Sequence, residues 1–380
     1  MKASLERSAG GADYEGSRSP QKSSTRNLTL DYLRGYFLFV IAVNHLAKFP
    51  NLFEPLTGQH RMWVSAMEGF VFVSGLLVGM LRGRQARMQG IGIASSKLFR
   101  RAGLLYACAI GMIVIAAAMR VILPHLGISV RMDPYPGGIG NFVLDAFLLK
   151  PPGLGGGLLA IYAIFLFISP VFLLLLTRLH WGVAAALSFG IWVAGLVIPH
   201  PMSLGEGSVW NLATWQFLFF GALVIGYKAD ELTRWWNDIP QATRNRIFWY
   251  VFPAALVSVW VSWLDCYRGA LFFSESEFRN FLFDRVRLGP GRILAFGLWF
   301  SALYMVVSKF EPWFKRWTAW FLLPYGQNSL HVYILQLLIL PFVGKVPTDG
   351  FMANTVVSAA AVLFIWWLTA NRYLFKVIPR

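Results

Sequence analysis

The stretch 28–48, LTLDYLRGYFLFVIAVNHLAK, decides how the rest of the chain is interpreted. It is apolar over a length that would cross a lipid bilayer as a helix, yet it contains Asp31, Arg34, Asn44 and His45. A charged side chain inside a membrane helix costs about 2.5–3.5 kcal/mol or more, so such residues face protein or water and usually serve a function. The stretch therefore predicts a membrane helix that carries part of a polar site.

Arg34 and His45 are predicted to share one face of this helix. They are eleven residues apart, which at about 100° per residue amounts to three turns plus roughly 20°. Their separation along the axis is about 16 Å, roughly half of a hydrocarbon core. We therefore expect the guanidinium near the cytoplasmic surface and the imidazole near mid-membrane to line the same cavity.

The composition extends this interpretation to the whole chain. Of its 380 residues 57% are hydrophobic and only 14% are charged, whereas a soluble domain has about 25% charged residues. We expect an all-α, polytopic bundle of about ten transmembrane helices over residues 28–374, between a disordered tail at 1–27 and a short tail at 375–380. The apolar runs lie at 28–48, 62–81, 98–123, 153–177, 181–198, 211–227, 247–264, 291–307, 321–341 and 354–374.

The basic residues predict the orientation of the bundle. With the N-terminus in the cytoplasm, 23 of the 34 Lys and Arg residues lie on the inner side and 11 on the outer side, while the acidic residues divide 8 to 10. The positive-inside rule then predicts that both termini are cytoplasmic. This distribution explains the net charge of +16 without a nucleic-acid partner. The first apolar run starts late and lacks a small-residue cleavage site, so we expect no cleavable signal peptide.

His45 is the strongest candidate for a general base, because a neutral imidazole can take a proton from a hydroxyl group at physiological pH. The alternative is a histidine that only hydrogen-bonds a nearby carbonyl. Asn44 could donate to a developing oxyanion or tie two helices together. Glu68, near the outer end of the second apolar run, is the candidate partner of His45. Cys108 and Cys266 have no metal-ligand spacing, so neither a metal site nor a disulfide is expected.

Arg34 and Asp31 could form an interfacial ion pair or could contact the phosphate or carboxylate of an anionic substrate. Arg101 belongs to the basic segment 82–101, which could contribute to the same contact. Ser74 and Gly75 allow a close approach of two helices. We count Arg34, Asp31, Ser74 and Arg101 as candidate donor-binding residues.

Four further polar or aromatic residues fall within or beside the apolar runs, and we expect them to contact the acceptor substrate. Each has a structural explanation on its own, and their number is what suggests a polar cavity between helices. They are Trp215, Gln216, Arg292 and Asn328.

The outer loops 124–152 and 265–290 are longer than a turn requires, and long loops on one face often carry function. The segment 141–149 could form a short interfacial helix. The outer side has nearly equal numbers of basic and acidic residues, which favours a neutral acceptor. No phosphate-binding loop, dinucleotide fingerprint or nucleophile elbow lies in a plausible context. The residues alone thus leave transport and group transfer open.

Five blocks of the sequence, in order, resemble a known family. They are LTLDYLRGYFLFVIAVNHL, MEGFVFVSGLLVGMLRGR, NLATWQFLFFGAL, LGPGRIL and GQNSLHVYILQ. An Arg and a His separated by ten residues on the first helix resemble the membrane acyltransferase-3 superfamily, and the blocks resemble more narrowly its OpgC-type members. That family is associated with the succinylation of osmoregulated periplasmic glucans.

The resemblance implies a ten-helix bundle in the bacterial inner membrane, a cytosolic acyl-CoA donor such as succinyl-CoA, and a periplasmic glucan as acceptor. Arg34 and His45 occupy the positions of the family motif. Many relatives place an Asp before the first-helix His, where this chain has Asn44, so Glu68 is expected to supply the missing carboxylate. The rival hypothesis is a proton-coupled transporter or flippase in which His45 and Glu68 relay protons.

Overall fold

The computed structural model describes residues 27–125, 127, 138–149, 157–198, 211–268 and 276–378, and the regular structure within these ranges is helical. The α-helices are α1 (Leu28–Leu46), α2 (Glu54–Thr57), α3 (Ala66–Val78), α4 (Arg84–Gln89), α5 (Ile91–His125), α6 (Gly138–Phe147), α7 (Gly157–Arg178), α8 (Trp181–Val197), α9 (Leu212–Tyr227), α10 (Ala229–Asp238), α11 (Gln241–Arg268), α12 (Glu277–Phe283), α13 (Pro290–Lys309), α14 (Glu311–Trp317), α15 (Ala319–Gln327), α16 (Ser329–Val343) and α17 (Phe351–Ala370).

Each of the ten predicted apolar runs coincides with a helix, and two of the runs depart from a regular α-helix. The second continues from α3 through a π-helical turn at Gly79–Gly83 into α4. The ninth is divided at Asn328 into α15 and α16, next to Pro324 and Gly326, which both weaken a helix. The segment predicted as a short interfacial helix is confirmed as helical, within α6. Cys108 and Cys266 are free thiols.

The central helix is α1, which contacts α3, α13, α15, α16 and α17. Most of its side chains are buried, including Asp31, which is 3% exposed. Its first turn is capped by Asn27, whose Oδ1 accepts a hydrogen bond of 3.2 Å from the backbone N–H of Leu30. The polar residues of α1 therefore face protein, as the cost of a charge in lipid requires.

Glycines allow two helix pairs to approach until their backbones touch. A side chain at Gly75 in α3 would overlap the carbonyl oxygen of Phe219 in α9. In the same way, Gly35 of α1 faces Leu322, and Gly326 of α15 faces the carbonyl of Asp31. Close approaches of this kind are typical of membrane helices, where packing and not the hydrophobic effect holds the helices together. The predicted packing role of Gly75 is thus confirmed.

Six helices are long and apolar enough to cross a membrane, counted over the described ranges. A seventh span results if α9 and α10, which are bent by 66° at their junction, are taken together. The shorter apolar helices α8 and α16 add to the apolar part of the bundle. The chain is therefore a multi-pass membrane protein.

Replacing Gly75 by Ala is expected to destabilise the bundle, because the new methyl group has to displace the α9 backbone at Phe219. Overpacking of this kind costs about 1–3 kcal/mol, so the melting temperature in detergent should fall. Gly103→Ala in α5 is the matched control, since a side chain there meets open space. Equal melting temperatures of the two variants would contradict the close contact of α3 with α9.

Candidate active site

A cavity of about 400 Å³ lies beside the first half of α1, enclosed by α3, α5, α7, α9 and α16. Four basic side chains and four hydroxyl groups line it, among mostly apolar neighbours. Within the described part of the chain, no Asp or Glu is among the lining residues. The polar lining consists of Arg34, Arg82, Lys97, Arg101, Ser74, Tyr162, Ser329 and Tyr333. A cavity with this lining suits a ligand that carries several negative charges.

The local structure explains why these cations converge. Arg82 lies in the π-helical turn Gly79–Gly83, a kind of turn that occurs often at functional sites. Lys97 and Arg101 are four residues apart on α5 and therefore share one of its faces. Arg34 donates a hydrogen bond from Nη2 to Oγ of Ser329, at the start of α16. Three separate elements thus bring positive charge to one space.

Three of the four predicted donor contacts line this cavity: Arg34, Ser74 and Arg101. Oγ of Ser74 donates to the carbonyl of Phe70 at 2.9 Å. Asp31 does not line the cavity; it is buried in α1, where its carbonyl touches Gly326. The basic segment is chiefly a topology signal in the sequence, and no local pattern pointed to the hydroxyls of Tyr162 and Tyr333.

The structure corrects one expectation about His45. It lies in the last turn of α1. It also does not line the cavity that contains Arg34. Leu38 and Ile41 lie between them on the same helix face and are 0% and 1% exposed, so apolar packing closes the direct path. The expectation that Arg34 and His45 line one cavity is therefore wrong for this structure.

Glu68 is also paired differently from the prediction. Its carboxylate accepts a hydrogen bond of 2.5 Å from Nε of Arg292 and forms an ion pair with the same guanidinium. Its other oxygen accepts from the backbone N–H and the hydroxyl of Ser65, which closes a capping box at the start of α3. His45 is not among these partners. The expected pairing of Glu68 with His45 is wrong, because the capping box and Arg292 already occupy both carboxylate oxygens.

Asn44 ties α1 to the segment that follows it. Its amide Nδ2 donates to the carbonyl of Thr57 at 3.4 Å. Of the two hypotheses for this residue, the contact corresponds to the structural one. A role for Asn44 in binding an oxyanion stays a prediction.

The turn before α13 brings a further arginine to the His45 end of the site. Arg285 interacts electrostatically with His45, Glu68 and Arg292. Its Nε is buried without a hydrogen-bond partner in the described structure, and burial lowers the pKa of Arg285. Sequence reasoning missed this residue as part of the site, because it belongs to a loop far from α1 in the chain.

The other three residues that were predicted to contact the acceptor are Gln216, Trp215 and Asn328. Gln216 is 5% exposed, and its amide exchanges hydrogen bonds with Ser188 of α8: it accepts from Oγ at 2.9 Å and donates to the carbonyl at 2.8 Å. Trp215 is fully buried. Asn328 donates to the carbonyl of Pro324 at 3.0 Å, in the break between α15 and α16. None of the three lines the basic cavity.

A second group of polar contacts joins α11, α12 and the segment that precedes α3. Asp265 accepts hydrogen bonds from Arg279, at 2.8–3.0 Å, and from the indole N–H of Trp63, at 2.7 Å. The Asp265 hydrogen bond raises the pKa of Arg279. The ring of Trp63 stacks on Phe283 with centroids 4.1 Å apart. Parts of the outer loops 124–152 and 265–290 lie outside the described residues.

Fold and site together define a multi-pass helical membrane protein. A basic cavity of about 400 Å³ lies at one end of its central helix, and a buried ionic cluster lies toward the other end. The chain belongs to the OpgC protein family, whose model matches residues 26–376. Membership indicates a membrane acyltransferase that acts in glucan modification. Comparisons with curated proteins and with solved structures each returned no significant match.

Replacing Glu68 by Gln should destabilise the protein strongly, because Arg292 is 3% exposed and would keep a buried charge without its carboxylate. Breaking one side of a buried ion pair costs about 3–5 kcal/mol. Thermal unfolding in detergent measures this loss. Combining Glu68→Gln with Arg292→Met should restore part of the stability.

The matched control is Glu231→Gln, which removes the carboxylate of the exposed pair between Lys228 and Glu231. Exposed pairs contribute little to stability, so this variant should unfold like the wild type. A melting temperature for Glu68→Gln within error of that for Glu231→Gln would contradict the structural importance of the buried pair.

Proposed function

We propose that this protein is a transmembrane O-acyltransferase of the bacterial inner membrane. It transfers an acyl group, succinyl in our proposal, from cytosolic acyl-CoA to a hydroxyl group of a periplasmic glucan. The chain crosses the membrane ten times with both termini in the cytoplasm. The charge distribution of the loops and the coincidence of each apolar run with a helix support this topology.

The basic cavity is the observation that carries the proposal. Its volume of about 400 Å³ is within the usual range for small-molecule sites. Arg34, Arg82, Lys97 and Arg101 supply four positive charges for the phosphates of a coenzyme A donor. In the proposed topology this end of α1 faces the cytoplasm, where acyl-CoA is available. The apolar remainder of the lining suits the pantetheine arm.

In the proposed reaction His45 is the general base. Its imidazole takes the proton of a glucan hydroxyl, and the oxygen attacks the thioester carbonyl carbon. The tetrahedral intermediate then expels the coenzyme A sulfur, the new ester forms, and the proton passes from the imidazolium to the leaving thiolate. Atoms and charges balance without an acyl-enzyme.

The donor has to cross the apolar barrier between the two ends of the site. Arg34 and His45 are about 16 Å apart along α1, a distance of the order of an extended pantetheine arm. Leu38 and Ile41 close that path in this structure. We therefore propose that these two side chains move aside when the donor binds. In their closed position they prevent water from crossing the membrane through the empty site.

A proton-coupled transporter or flippase is the rival function, with the same buried ionisable residues as a proton relay. The two functions differ in whether a covalent product forms without a gradient. The purified protein in detergent should convert succinyl-CoA and a neutral glucan into a succinylated glucan and free coenzyme A, detected by mass spectrometry. Absence of the product, with transport of the glucan in sealed vesicles, would favour the rival.

His45→Ala is expected to lower the rate of acyl transfer about a hundredfold or more, because the acceptor hydroxyl loses its base. The rate is measured as coenzyme A release by the purified variant. His125→Ala is the matched control, since His125 is exposed at the end of α5. Near-normal transfer by His45→Ala would remove His45 from the mechanism.

Arg34→Ala is expected to weaken donor binding at least about tenfold, because a charge-assisted contact with a phosphate or carboxylate is lost. Arg34→Lys should recover only part of the affinity, since an ammonium cannot reproduce the planar fork of the guanidinium. Binding of coenzyme A by calorimetry is the measurement. Arg246→Ala, at an exposed position of α11, is the control. Unchanged affinity with reduced turnover would make Arg34 a structural residue.

A further inference from the structure

The charges around Glu68 do not balance. Glu68 is 0% exposed and its single negative charge is matched by Arg292, which forms an ion pair with it. Arg285 adds a second positive charge within electrostatic range of both residues. The charges that act on Arg285 in the described structure are those of Glu68 and Arg292, and its chain neighbour Asp284 is not among them. The cluster therefore carries one excess positive charge.

The backbone of the turn that carries Arg285 is held in place by contacts with two helices. Next to it, the carbonyl of Val286 accepts a hydrogen bond of 2.9 Å from Oγ1 of Thr214 in α9. The carbonyl of Leu288 accepts from the indole N–H of Trp192 in α8 at 3.0 Å. Two helices thus clamp the backbone on the C-terminal side of Arg285.

Arg285 is partly buried, and withdrawing a charge from water is costly unless an opposite charge compensates it. Nε of Arg285 is buried and has no hydrogen-bond partner, and no ion pair of this residue occurs in the described structure. A guanidinium in this state matches a carboxylate, because both groups are planar and can form two parallel hydrogen bonds.

We propose that Arg285 determines the acyl specificity of this protein by binding the free carboxylate of a dicarboxylic acyl group while its thioester carbon lies at His45. The inference rests on the proposed acyltransferase function and adds the residue that selects the substrate class. A monocarboxylic acyl chain of the same length would leave Arg285 without a counter-ion. The enzyme should therefore discriminate against it.

The test compares two donors of equal chain length, succinyl-CoA and butanoyl-CoA, which end in a carboxylate and in a methyl group. The measurement is kcat/KM for transfer to a neutral glucan by the purified full-length protein. The wild type should prefer succinyl-CoA, and Arg285→Gln should lower the ratio of the two values about tenfold or more, with the loss confined to succinyl-CoA. Arg285→Lys should give an intermediate ratio, because it keeps the charge but loses the fork.

Arg287→Gln is the matched control, since it removes a positive charge from the same turn while its backbone contact with Asp284 remains. Its donor ratio should equal that of the wild type. An equal loss of activity with both donors in Arg285→Gln would overturn the inference, and so would an unchanged ratio. If Arg285→Gln does not fold, a wild-type ratio in Arg285→Lys would overturn it instead.

The failure of this inference and the failure of the proposed function are distinguishable. A wild-type protein that transfers both acyl groups equally well would remain an acyltransferase, and only the role of Arg285 would be lost. A wild-type protein that transfers neither group would contradict the proposed function itself.

Discussion

The constraint on which the rest of the structure depends is the cost of exposing a polar helix to lipid. The α1 helix carries Asp31, Arg34 and His45, and a bilayer tolerates such residues only where protein or water surrounds them. The bundle meets this requirement by placing α1 in contact with five other helices. The backbone contact of Gly35 and Gly326 brings α15 against it. The polar helix is thus the centre of the bundle and not one of its lipid-facing walls.

This arrangement gives the two ends of α1 different chemical surroundings. Around Arg34 the cations lie beside open space, and no Asp or Glu is among the described lining residues. Toward His45 the charges are packed, and Glu68 and Arg292 neutralise each other in the interior. Leu38 and Ile41 separate the two regions. An acyltransferase whose donor and acceptor occupy opposite sides of a membrane needs such a separation, because an open channel would leak ions.

Buried polar residues in this protein serve more than one purpose. Gln216 uses its whole amide to join α8 to α9, and Asn328 stabilises a helix break. Both resemble site residues in the sequence, since each is a polar residue in or beside an apolar run. Arg285 is the reverse case: its position in a loop suggested a surface residue with no role in the site, yet its Nε is buried. Hydrogen-bond saturation separates these cases, because a saturated group has no capacity left for a ligand.

The sequence by itself determined the helical class, the positions of the ten apolar runs and the polar character of α1. These are local properties, since hydropathy and helical periodicity are set by residues a few positions apart. The close approach at Gly75 also followed from the sequence. Only the tertiary structure decided that Glu68 pairs with Arg292 and not with His45, since 224 residues separate the two partners in the chain. It also decided that Leu38 and Ile41 close the path between Arg34 and His45, because that depends on which helices pack against α1 and not on its own periodicity.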